Sequence, residues 1–159
     1  MIKTGPVLLC GMVLFAIVGT TNRAGAADAY EAKAECQLVQ LINQVRTNYG
    51  LPPLQQDSRL QAAARRHTTL MALQNTLSHK LPGESVLGKR LELNGAYFYV
   101  AGETAAFNRT ADAAHESFMR SPPHRRIILD SQYDAVGVGV VERDGIIWVT
   151  EDFAHLLTE

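Results

Sequence analysis

Between Val136 and Val140 valine alternates strictly with glycine, and no other stretch of the 159-residue chain limits its fold so tightly. A period of two is that of a β-strand. One face of this strand carries valines and the other carries no side chain, so the bare face is filled only if a helix or a neighbouring backbone approaches closely. Asp144-Gly145 then tolerates the positive φ of a tight hairpin turn and leads into Ile146-Ile147-Trp148-Val149. The two runs therefore read as an antiparallel β-hairpin that needs helical cover.

The first half of the chain supplies helices. Leu38, Leu41, Ile42 and Val45 fall at the three-four spacing of a buried helical stripe, which Gly50 and Pro52-Pro53 end. Asp57 or Ser58 caps a second helix with a stripe through Leu60, Ala63, Ala64, His67, Leu70 and Met71. His67 on that stripe reads as a packed, hydrogen-bonded core histidine. A short third helix is expected from Ser85 toward Asn94-Gly95, and a fourth from Thr110, its cap, to Arg120, with His115 and Glu116 on its solvated side. Tyr97 to Ala101 reads as a strand that Thr104 to Phe107 continues. Tyr97, Tyr99 and Trp148 are expected in the core or the wall of a cleft. The fold class is α+β, with a mixed, largely antiparallel sheet between helices.

The N-terminus has a different character. Lys3 precedes an apolar run from Val7 to Val18, and Ala24-Gly25-Ala26 follows a polar stretch. This pattern predicts a signal peptide over residues 1–26, cleaved after Ala26, with a single domain over residues 27–159. The run is shorter than the roughly 20 residues of a membrane-spanning helix, so no stable membrane span is expected after cleavage. The expected location is secreted or periplasmic. Cys36 would then be the only cysteine left, which precludes an internal disulfide. It reads as a small apolar residue near the start of a helix. The whole chain carries 15 basic and 16 acidic side chains. Loss of Lys3 and Arg23 with the leader makes the remainder more acidic, and nucleic acid is excluded as a partner.

Three residues with chemistry stand outside the expected elements: His79, Glu103 and His124. Two imidazoles and a carboxylate suit a divalent cation such as zinc, the carboxylate either ligating it or orienting a histidine from behind. Widely spaced histidines fit almost any fold, however, and spacing alone favours ordinary surface histidines.

The surrounding residues add context. Leu41-Ile42-Asn43-Gln44-Val45-Arg46, Gly50-Leu51-Pro52-Pro53-Leu54, Ser78-His79, Gly102-Glu103, Ser121-Pro122-Pro123-His124-Arg125 and Val136-Gly137-Val138-Gly139-Val140 occur in one order. In that order they resemble the CAP superfamily, or SCP domain family, of cysteine-rich secretory proteins, antigen 5 and plant pathogenesis-related proteins. The likeness runs from about Leu38 to Phe153 and is nearest to the short, disulfide-free bacterial branch. It implies a three-layer α-β-α sandwich and a central cleft with two histidines and two glutamates, which in some members bind zinc or another divalent ion. His79 matches the first histidine, Glu103 the first glutamate and His124 the second histidine, making His79 and His124 the expected metal ligands. The second glutamate falls near Ser121, where serine cannot replace its charge. Glu116 lies roughly 140° around a helix from that position. Thr104 stands where asparagine is usual and Pro123 where glycine is usual.

The resemblance implies a binding or interaction module whose cleft, lined by His79, Glu103, Ser121 and His124, takes a small ligand, a lipid or an envelope or extracellular protein. The competing reading is a metal-dependent hydrolase with Glu103 as general base. A Ser121–His124 nucleophile and base is disfavoured, because Ser-Pro-Pro more naturally opens a helical turn and nothing marks an orienting acid.

Overall fold

The computed structural model describes residues 21–157; of the expected leader, residues 1–20 lie outside the described residues. α1 (Thr21–Asn48) runs without interruption past Ala26. There follow β1 (Gln55–Gln56), α2 (Ser58–Gln74), α3 (Leu87–Leu93), β2 (Phe98–Asn108), α4 (Ala111–Arg120), α5 (Pro122–Ile128), β3 (Ala135–Arg143) and β4 (Ile146–Leu156). The strands form one sheet in the order β1-β3-β4-β2. β1 pairs parallel with β3, and the other pairings are antiparallel. The sheet is thus mixed and largely antiparallel, as expected.

The valine-glycine alternation determines how the layers meet. Val136, Val138 and Val140 point into the larger core with Leu38, Ile42, Ala114 and Phe118 of α1 and α4. On the opposite face a Cβ at Gly137 would collide with the backbone of Leu60 and Gln61, and one at Gly139 with that of Ala64 and Arg65. α2 therefore lies directly against the glycine face, at a distance only a missing side chain permits. The hairpin turns through Asp144 and Gly145, both at positive φ (55° and 76°), as a tight turn between right-twisted strands requires.

Local chemistry sets the helix ends. The Asp57 carboxylate accepts from the Arg59 and Leu60 amides to open α2, and the Thr110 hydroxyl accepts from the Ala113 amide to open α4. α3 is shorter than the span from Ser85. The two expected strand pieces around Gly102-Glu103 are one continuous β2, because β4 pairs with it from Phe98 to Asn108. Buried polar groups join the layers. Glu35 of α1 receives Arg65 and Gln61 of α2, and the Val140 amide of β3. Arg46 is wholly buried and donates to the carbonyls of Pro52, Ile128 and Asp130, tying the end of α1 to the end of α5.

Expectations at four single residues fail. Cys36 is exposed, because its turn of α1 buries Ala34, Glu35 and Leu38 instead. Tyr97 and Tyr99 are exposed at 58% and 77%, Tyr99 resting edge-on against His155, whereas Trp148 is in the core. His115 is half-buried rather than solvated, and burial lowers its pKa below the ordinary imidazole value.

Candidate functional site

Alternation along β2 decides where its polar residues go. Val100 and Ala106 pack on the α1/α4/α5 side of the sheet, and Ala101 and Ala105 join the clusters beneath α2 and α3. Glu103 shares the second parity and so faces α2 and α3. It is 6% exposed, and both its oxygens are engaged. Oε1 accepts from Nδ1 of His79 at 2.8 Å, and Oε2 pairs with the Arg90 guanidinium. Arg90, buried on α3, also donates to the His79 carbonyl at 2.9 Å and lies 3.6 Å from Glu84. Glu84 meets Nδ1 of His67 at 2.8 Å and accepts from the Leu81 amide.

His67 is fully buried, with its second ring nitrogen 2.8 Å from the Ser78 carbonyl oxygen. It is the packed, hydrogen-bonded histidine its stripe position suggested. Its Nε2 also stands 3.9 Å from Glu103, so it supports the site from beneath. One connected network, His67–Glu84–Arg90–Glu103–His79, fixes the loop between α2 and α3 and orients His79.

His79 stands in that loop with 61% of its side chain exposed. The hydrogen bond to Glu103 raises its pKa above the ordinary value, partly opposed by burial. His124, expected in a loop, is in α5, and its ring stacks edge-on against Phe118 at 5.3 Å. Burial lowers its pKa, and so does positive charge on His79. His79 and Glu103 are thus joined by a direct hydrogen bond at the edge strand β2, whereas the ring contact of His124 is with Phe118 and His124 is not among the residues lining the opening beside Glu103. Ser121 immediately precedes α5, but its side chain makes no capping hydrogen bond. The opening beside Glu103 has a volume of about 380 Å³ and is lined by His79, Lys80, Val86, Leu87 and Glu103.

Arg90, Glu84 and Asp152 were missed by sequence reasoning. Arg90 follows Leu87 by three residues and precedes Leu91, a stripe position that could have flagged it as buried. Asp152 is directly opposite Glu103 in the β2–β4 ladder and opposite Gly137 in the β3–β4 ladder. It is wholly buried without a hydrogen-bond partner among the described residues. Desolvation first, and the Glu103 charge second, hold its pKa well above the usual carboxylate range. As carboxylates the two acids have no proton between them; a proton on Asp152 supplies Glu103 with a further donor.

The description of the cysteine-rich secretory protein family, CAP, matches residues 39–152. The chain belongs to the CAP family. It is 32% identical over 133 residues to YkwD of Bacillus subtilis, an alignment covering 83% of this chain and 50% of YkwD. It is 34% identical over 111 residues to the B. subtilis membrane protein YlbC, covering 69% of this chain and 32% of YlbC. The chain thus spans half or less of these relatives. Among solved structures, an extracellular SCP-domain protein of Bacillus anthracis superposes with a TM-score of 0.78 at 27% identity, over 96% of this chain and 45% of that one. The α-β-α architecture of this CAP domain agrees with that relationship.

Among the described residues the donor set falls short of the ligand count of a closed metal centre. Both Glu103 oxygens are held by protein donors, leaving the imidazoles of His79 and His124, whereas a catalytic zinc ordinarily has three protein ligands and a structural zinc four. Among the described residues no group of three or more His, Cys, Asp or Glu side chains is disposed to hold a metal ion.

Proposed function

We propose that this CAP domain is an exported binding module whose cleft takes a small ligand with an apolar body and an anionic or hydrogen-bonding head. The observation that carries this reading is the fixing of His79. Glu103 holds its Nδ1, Arg90 holds Glu103, and the outer part of the ring faces an opening walled by Val86 and Leu87 with Lys80 beside it. Such an arrangement presents a prepositioned polar group next to an apolar surface, as small-molecule sites do. With both oxygens engaged, Glu103 orients an imidazole and is poorly placed to abstract a proton from a bound water. Export is supported by the leader-like N-terminus and by similarity to the extracellular protein of B. anthracis.

The test is a titration of the full chain with 3-phenylpropionate, read by the histidine-ring signals in NMR spectra. The His79 and His124 signals should shift together with the Val86 and Leu87 amides, and the amide response should vanish in the H79A/H124A double variant while the His67 and His155 ring signals stay in place. Absence of any shift at millimolar probe overturns the reading. Metal-dependent turnover of ester, peptide or glycan substrates that is abolished by Glu103→Gln would instead establish the hydrolase.

A further inference from the structure

A second surface, which shares no lining residue with the opening beside Glu103, forms where α4 ends and α5 begins. Met119, Arg120, Pro122, Arg125, Arg126 and Leu129 line a groove of about 380 Å³. Three of these residues are arginines, and no lining residue is acidic. Each guanidinium is held differently. Arg120 pairs with Glu116 one turn earlier at 3.2 Å, with both side chains about 70% exposed, an ion pair easily surrendered to a better partner. Arg125 is prepositioned, its guanidinium over the Tyr49 ring at 5.2 Å and hydrogen-bonded to the Tyr49 hydroxyl. Arg126 makes no hydrogen bond or ion pair to the described residues, and its side chain is exposed.

We infer that this groove docks an acidic segment of a partner protein, one in which an apolar side chain is flanked by carboxylates. The charge is complementary, and guanidinium groups pair with carboxylates through two parallel hydrogen bonds. The shape decides among anionic occupants. Met119 and Leu129 are half-buried and form the floor, while the arginines form the rim. A surface that enters a bilayer carries several projecting apolar side chains; here Met119 and Leu129 are half-buried and only Pro122 is exposed, so the occupant has to bring the projecting group. A recessed apolar centre with an arginine rim is also the residue composition of protein-binding hot spots. The inference is independent of what the His79 cleft binds.

The test is an NMR titration of the full chain with the acetylated pentapeptide DELDE. Amide shifts should concentrate at Met119, Arg120, Arg125, Arg126 and Leu129, and affinity should fall steeply as salt is raised. The double variant R120E/R126E changes exposed residues only and should keep the wild-type melting temperature while weakening binding at least tenfold. DEGDE, which lacks the apolar anchor, should bind several-fold more weakly than DELDE. Equal binding of DELDE to wild type and the double variant would overturn the inference, as would equal binding of DELDE and DEGDE. So would association with phosphatidylglycerol vesicles without any peptide response, which would mark the groove as a membrane contact.

Discussion

Glu151 and Asp152 are neighbours in β4 and both are wholly buried, yet the strand sends them to opposite faces of the sheet and into opposite environments. Glu151 lies between Val149 and Phe153 on the apolar α1/α4/α5 side, where the Thr104 hydroxyl donates to it at 2.7 Å and its other oxygen has no hydrogen-bond partner among the described residues. Its pKa is pushed up to about 8, by burial above all. Asp152 lies on the α2/α3 side next to Glu103, and like charge adds to desolvation there. One face raises the pKa of its acid by desolvation above all. The other raises that of Asp152 by desolvation first and then by the charges of Glu103 and Glu84, with Arg90 opposing. Burial on this fold is therefore not one condition, and the opening beside Glu103 is on the face where charges are already organised.

Removing the single guanidinium of that network should produce the largest effect. Arg90→Ala would leave Glu84, Glu103 and Asp152 buried together without their main countercharge. Stranded buried charges of this kind cost about 3–5 kcal/mol. Urea unfolding at neutral pH should show that loss, together with disorder of the His79 loop by amide exchange. A loss below about 1 kcal/mol would mean that the network is not what holds this face together.

Glu151→Gln tests the other face. Between pH 4.5 and about 8 Glu151 is protonated in the folded chain and ionised in the unfolded one. The folded state then binds more protons, so stability falls as pH rises across that window and levels off above it. Glutamine keeps an acceptor for the Thr104 hydroxyl and removes this linkage. The variant should match wild type near pH 4.5 and exceed it by roughly 2–4 kcal/mol at pH 8, somewhat less than the full linkage because the amide is itself buried. Melting curves that run parallel across the window would show that Glu151 is already ionised in the fold.

Asp152→Asn should matter less than Asp152→Ala. An amide N–H at position 152 can donate to Glu103 as a protonated acid would, so asparagine should be nearly neutral in stability, whereas alanine offers no donor and should cost about 1–3 kcal/mol. Equal losses in both variants, by urea unfolding, would mean that Asp152 supplies no donor.

These contrasts bear on what was legible in the sequence. The sheet's two faces were legible because valine-glycine alternation states a period and a close approach at once, and Gly137 and Gly139 meet α2 as that pattern demands. The pairing of His79 with Glu103 was legible through the order of motifs around them. Arg90 and Asp152 were not, because each sits inside an element whose periodicity reads as core, and a buried charge has no signature until its partner's position in space is known. Ser121 was placed correctly beside α5, but its hydroxyl does not cap that helix. Tyr99 was misjudged because an aromatic residue on an edge strand satisfies strand propensity without being buried, and Tyr97 because it stands just before that strand.

The smallest effect expected is also the one that probes the cleft most directly. His79 is held above its ordinary pKa by Glu103, and His124 below by burial and by His79. The stability His79 gains from Glu103 is therefore present in full below pH 6.5, its unfolded value, and is lost as pH rises through the folded value. With 61% of the side chain exposed, solvent screening keeps that contribution small, and the titration itself is the better readout. Histidine-ring NMR should show His79 titrating above His124, and Glu103→Gln should narrow the gap by lowering the first and raising the second. A gap that survives Glu103→Gln would mean that burial alone separates the two imidazoles, and that the carboxylate network on the α2/α3 face does not reach the ligand opening.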